Sequence, residues 1–110
     1  MKSTKKLNAV MLIDDNEIDN LINQKMIESI NLCDNIFIHS GAKSALEYLK
    51  NIEKIKEGAH RFLPEIIFLD IDMPIMDGFQ FIDEFEKLSD ETKNYCKVVL
   101  LTSSLDPKDI

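Results

Sequence analysis

Apolar residues fall along this chain in two alternating rhythms. Leu7 to Ile13 is a short, mostly apolar run closed by Asp14 and Asp15, which reads as a strand. Behind it, Ile18, Leu21, Ile22, Met26 and Ile30 recur at helical spacing, with Asn16 in the place of an N-cap. The alternation then repeats. Ile36, Phe37 and Ile38 form a second, weaker strand, and Ser40 can cap a helix that puts Ala42, Ala45, Leu46, Leu49 and Ile52 on one face. A polar connection through Gly58 and Arg61 leads to Pro64 and the unbroken run Ile66-Ile67-Phe68-Leu69, which ends at Asp70. Asp77-Gly78 opens a third helix with Phe81, Ile82, Phe85 and Leu88 inward, and Val98 to Leu101 makes a fourth strand ending at Thr102. Ser104 or Asp106, before Pro107, has the look of the cap of a further helix.

Strands without polar alternation need cover on both faces, and the helices between them supply it. The order βαβαβαβ therefore predicts an α/β protein with an open, doubly wound parallel sheet. Met26, Phe81 and Phe85 are expected in its core.

Composition narrows the picture. The chain has 110 residues, room for one domain, read as residues 1–110. With 45% apolar residues, three Gly and three Pro, it has the makings of a packed globule. Twenty acidic residues against thirteen basic ones give a net charge of −7, which repels phosphate backbones and anionic membrane surfaces, so no direct nucleic-acid binding is expected. No stretch is apolar for long enough to span a bilayer, and no signal peptide is evident. Cys33 and Cys96 lack CxxC spacing and read as reduced thiols, so a cytoplasmic location is the expectation. His39 and His60 read as structural or solvated side chains.

In open parallel sheets the functional crevice lies beyond the carboxyl ends of the strands. Here the first strand ends in Asp14 and Asp15, the third in Asp70, and the fourth in Thr102, Ser103 and Ser104. If the first and third strands are neighbours, three carboxylates converge, and each like-charge pair costs about 4 kcal/mol at 4 Å and an effective dielectric near 20. Such a cluster calls for a cation, and a ligand set made only of oxygens selects Mg²⁺ or Mn²⁺ over zinc. Phosphoryl chemistry follows naturally, because a carboxylate beside a metal ion can attack phosphorus. Asp70 is the candidate nucleophile, with Asp14 and Asp15 as metal ligands and Thr102 as a hydrogen-bond donor to a phosphoryl oxygen. Asn16, Ser40 and Asp77 read instead as helix caps.

The paired acid and the run Phe68-Leu69-Asp70-Ile71-Asp72-Met73-Pro74-Ile75-Met76-Asp77-Gly78 resemble the receiver domains of two-component response regulators. The resemblance covers Leu7 to Ile110 and implies a flavodoxin-like sheet of strand order 2-1-3-4. It implies a phosphoacceptor at Asp70, Mg²⁺ ligated by Asp15 and Asp70 directly, by Asp14 through water and by the backbone carbonyl of Asp72, and a switch hydroxyl at Thr102. It also implies phosphoryl transfer from a sensor histidine kinase or a histidine phosphotransfer protein, and a switched surface for a downstream target that the sequence does not name. Asp72 is acidic where many members are neutral, which bears on the lifetime of the phosphate.

The chain departs from the family in lacking its fifth strand, the lysine that ends that strand, and the last helix. Lys108 is no substitute, since it follows Pro107 in a helical first turn. The chain thus reads as a receiver truncated at the start of its fourth helix, with an apolar edge on the fourth strand that invites an edge-paired or exchanged dimer. Two other classes share part of the pattern. Haloacid-dehalogenase-like phosphatases use a strand-terminal Asp-x-Asp such as Asp70-Ile71-Asp72, but place it on their first strand. A receiver-like interaction module without phosphorylation is the other. A calcium loop starting at Asp70 fails, with Ile75 where Gly is needed and Phe81 where Glu is needed.

Overall fold

The first strand is the most apolar on both of its faces, and it becomes the inside of the sheet. In the computed structural model, which describes residues 6–55, 62–71, 73 and 75–101, Ala9 to Ile13 are at most 1% exposed. β1 (Leu7–Ile13), β2 (Cys33–His39), β3 (Ile66–Asp70) and β4 (Lys97–Leu101) pair in parallel in the order β2-β1-β3-β4. α1 (Glu17–Ser29) and α2 (Ala42–Glu53) follow β1 and β2, while α3 (Gly78–Phe85) and α4 (Asp90–Tyr95) both lie between β3 and β4. The doubly wound parallel sheet and the order 2-1-3-4 are as expected.

Of the three caps expected among the described residues, two form. The Asn16 side chain accepts from the N–H groups of Ile18 and Asp19, at 2.9 and 3.1 Å, and Asp77 makes a capping box with Gln80. Ser40 is not a cap. The cap of α2 is Gly41, in an extended conformation and without a side-chain hydrogen bond, because β2 runs on through His39 and leaves the turn one residue later. α4 was not expected, since six residues are too few to show a period. It is held by its cap, Ser89, whose N–H and hydroxyl both donate to Glu53 at the end of α2, each at 2.8 Å.

The sheet has two unequal covers. On one face, Met11, Ile13, Ile67 and Leu69 pack against Leu46 and Leu49 of α2 and Phe81 and Phe85 of α3, all at most 5% exposed. Two of the aromatic residues expected in the core, Phe81 and Phe85, are therefore there. On the other face Val10 and Leu12 pack with Ile27 of α1, with Ile66 and Phe68 partly buried against them, and α1 buries among the described residues only Asn20 and Ile27. Met26 is not a core residue: it is 63% exposed, and the rest of its stripe, Ile18, Leu21, Ile22 and Ile30, is exposed with it. α1 packs over β1 and β2, and its apolar stripe borders a groove of about 290 Å³ floored by Leu12, Phe68 and Leu101.

Candidate functional site

A parallel sheet with the order β2-β1-β3-β4 reverses its winding between β1 and β3, and a crevice opens where those two strands end. The register pairs Leu12 with Phe68 and Ile13 with Leu69, and the next residue on each strand is Asp14 and Asp70. Sequence spacing thus becomes spatial convergence: carboxylate oxygens of Asp14, Asp15 and Asp70 all lie within 4.8 Å of one another. Asp14 is 6% and Asp70 2% exposed, whereas Asp15 faces solvent.

The turn after β1 is held from three sides. The N–H of Asp14 donates to the His39 carbonyl of β2 at 3.1 Å, and its Oδ1 accepts from the Asn16 N–H at 2.9 Å. Its carbonyl accepts from the Asn20 side-chain amide, also at 2.9 Å. The loop after β3 is shaped differently. The Ile71 N–H donates to the Leu101 carbonyl of β4, and the Gly78 N–H donates to the Ile71 carbonyl, each at 3.1 Å. Position 78 has no room for a side chain, because a Cβ would stand 2.9 Å from the Ile71 Cα and 3.1 Å from the Asp70 carbonyl oxygen. Ile75 sits in this loop with φ of 71° and is 96% exposed, a backbone conformation that a β-branched residue rarely adopts.

Electrostatics follow from the geometry. Burial, together with repulsion and a shared hydrogen bond from Asp70, pushes the Asp14 carboxyl up to about 6, against the lowering effect of the Asn16 N–H. A site that strains to keep its second carboxylate ionised is one whose charge a divalent cation would offset. The donors are all carboxylate oxygens, two buried and one exposed, a set that suits Mg²⁺ or Mn²⁺ and leaves positions for water or phosphate oxygens. His39 lies close by but is turned aside, its Nδ1 2.9 Å from Ser44 Oγ and its ring beside Tyr48, and burial lowers its pKa. Cys96 is buried, and that burial pushes its thiol up to about 12.

Three of the sequence-derived candidates, Asp14, Asp15 and Asp70, are therefore brought together. Asp72, Thr102 and the chain after it, with Asp106, Pro107 and Lys108, lie outside the described residues, as do Gly58, His60 and Arg61. Asn20 was not singled out by its sequence position. Asn23 and Gln24 are amides of the same helix, so nothing in the sequence marks Asn20 out, although it shares the buried face of α1 with Ile27 two turns on.

The family model for the response regulator receiver domain matches residues 10–110. A probable methanogenesis regulatory protein of Methanothrix harundinacea is 27% identical over 101 residues, which cover 92% of this chain and 61% of that protein. The chain thus spans about three fifths of that relative. The crystal structure of a two component response regulator from Cytophaga hutchinsonii superposes with a TM-score of 0.80 at 33% identity, over 96% of this chain and 75% of that one. The receiver domain of the histidine kinase CKI1 from Arabidopsis thaliana, solved with Mg²⁺ and BeF₃⁻, shares the fold at a TM-score of 0.67 and 20% identity, over 90% of this chain and 68% of that one.

Proposed function

The chain belongs to the response regulator receiver family, and from that premise we propose that it accepts a phosphoryl group on Asp70 from the phosphohistidine of a sensor kinase or phosphotransfer protein. The observation that carries the proposal is the convergence of three carboxylates at the β1/β3 crevice, one of them the buried end of β3. In the transfer, an Asp70 carboxylate oxygen forms a bond to phosphorus as the phosphorus–nitrogen bond of the phosphohistidine breaks. The electron pair stays with the imidazole, which takes up a proton. Asp14, Asp15 and Asp70 would hold Mg²⁺, with the Asp72 carbonyl as a further ligand by family resemblance. When bound, the ion would neutralise charge on the carboxylates and on the phosphoryl oxygens.

The protein's part is mainly positioning. β3 fixes the nucleophile from an interior strand, paired with β1 on one side and β4 on the other, and the Asn16 and Asn20 contacts hold the Asp14 turn against it. The added charge of about −1.5 to −2 would then bias a two-state surface for a downstream protein, with Thr102 as the switch hydroxyl on the resemblance. Such a domain carries one phosphoryl group as a signal and is not a turnover enzyme.

Intact-mass spectrometry after incubation with acetyl phosphate, with and without Mg²⁺, tests the reading. The expected result is a Mg²⁺-dependent gain of one phosphoryl group that Asp70→Asn abolishes. No gain in the wild-type chain would point to a receiver fold used as an interaction module. Repeated hydrolysis of phosphomonoesters without a phosphorylated resting state would point to a phosphatase built on Asp70 and Asp72.

A further inference from the structure

α1 presents two buried residues to the sheet, and one of them is an amide. Asn20 is 5% exposed, and its Nδ2 donates to the Asp14 carbonyl at 2.9 Å. A carbonyl can only accept, so the nitrogen must point at Asp14 and the oxygen away from it. That oxygen, Oδ1, is buried and has no hydrogen-bond partner among the described residues. A helix needing only apolar contact at this position would carry Leu, which is similar in size and leaves no polar atom unpaired. The unfavourable burial of Oδ1 is thus tied to keeping the Nδ2 donor where it is.

The donor acts on a particular peptide. The Asp14 carbonyl lies in one plane with the N–H and Cα of Asp15, so fixing that oxygen fixes the direction in which Asp15 leaves β1. The Asp14 N–H is already held by the His39 carbonyl, and its carboxyl by the Asn16 N–H. Asn20 supplies the third restraint, the one that sets Asp15 relative to Asp14.

We propose that Asn20 is a positioning residue of the acidic site, its amide orienting the Asp14–Asp15 peptide so that both carboxylates face Asp70 at the separation a divalent cation requires. The inference rests on the reading of that cluster as a Mg²⁺ site. Asn20 touches no ligand in this account and acts through the two aspartates.

The test compares the wild-type chain with Asn20→Leu, which keeps the side-chain size and removes both the donor and the unpaired oxygen. Mg²⁺ affinity is measured by titration calorimetry, the Asp15 N–H orientation by residual dipolar coupling in metal-free protein, and stability by thermal unfolding. The expected result is a cooperatively folded protein, a changed Asp15 coupling, and a Mg²⁺ Kd raised at least about 10-fold, the lower end of what losing an outer-shell partner costs. A folded Asn20→Leu protein with a Kd within about twofold of wild type overturns the proposal and leaves Asn20 a packing residue. If Asn20→Leu does not fold, Asn20→Ser, whose hydroxyl is too short to reach the Asp14 carbonyl, is read by the same criteria. A wild-type chain that takes up no Mg²⁺ overturns the metal reading and this inference together, and is told apart from a failure of Asn20 alone because wild type then fails as well.

Discussion

The two faces of the sheet are made of similar residues and end up in different physical situations. On the face covered by α2 and α3, the strands' Met11, Ile13, Ile67 and Leu69 meet Leu49 and Phe81, and every one of these six is at most 1% exposed. On the face covered by α1, Val10 and Leu12 are equally dry, but Phe68 is only partly buried and Met26 and Ile30 stand mostly in water. The difference lies in the helices. α2 puts five apolar residues into the sheet over three turns, whereas α1 puts in Ile27 and the amide of Asn20. One face therefore supplies most of the cohesion. The acids belong to the other, because Asp14 and Asp70 continue the rows Val10-Leu12 and Ile66-Phe68 along β1 and β3.

The sharpest way to break this contrast is Phe81→Ala. It should destabilise the fold by about 3–5 kcal/mol, read by urea unfolding, because the ring is fully buried between α2 and the sheet and stacked on Phe85 with centroids 6.0 Å apart. A loss below about 1 kcal/mol would mean that this face is not the main source of cohesion.

Next in size is Asp14→Asn. Raising the Asp14 carboxyl from its ordinary 3.8 to about 6 corresponds to about 3 kcal/mol. Below the lower value the group is protonated in both folded and unfolded chains, and the folded state suffers no penalty. As pH rises between the two values only the unfolded chain releases the proton, so stability falls and stays lower above the upper one. Metal-free Asp14→Asn should therefore be more stable than wild type at pH 7 by up to about 3 kcal/mol, with no gain at pH 3.5. Mg²⁺ should raise the wild-type melting midpoint at pH 7 and do so less for the variant. Equal stabilities at pH 7 would show that Asp14 carries no such penalty.

The smallest effect belongs to Met26→Lys, expected to change stability by no more than about 0.5 kcal/mol, since the side chain is exposed and Met and Lys are comparable helix formers. A loss above about 1 kcal/mol would show that the α1 face is covered in solution, and the contrast between the faces would fail.

Much of this was legible in the residues. Unbroken apolar strands ending in acids gave the parallel sheet, and its winding brings Asp14, Asp15 and Asp70 together. The exposure of Met26 was not legible, because periodicity marks an apolar stripe and does not say which elements are present to cover it. Nor was the cap at Gly41, where a hydroxyl at Ser40 is the better capper in isolation and the length of β2 decides otherwise. α4 escaped because six residues show no period, and the contact that ties its cap to the rest of the fold comes from Glu53, 36 residues before Ser89. Asn20 escaped for a related reason. A single polar residue in a helix says nothing until its partner, a backbone carbonyl six residues earlier, is placed beside it.

The position of β1 inside the sheet also bears on the order in which the molecule can assemble during synthesis. β1 and β2 are joined by α1 alone, so that first β–α–β unit can close as soon as His39 has left the ribosome. The other side of β1 must wait for β3, which begins with Ile66. Until then Val10 to Ile13 offer one unpaired backbone edge in a nascent chain, and Asp14 has no Asp70 beside it. The acidic crevice is consequently a late product of folding, formed only when the third strand docks.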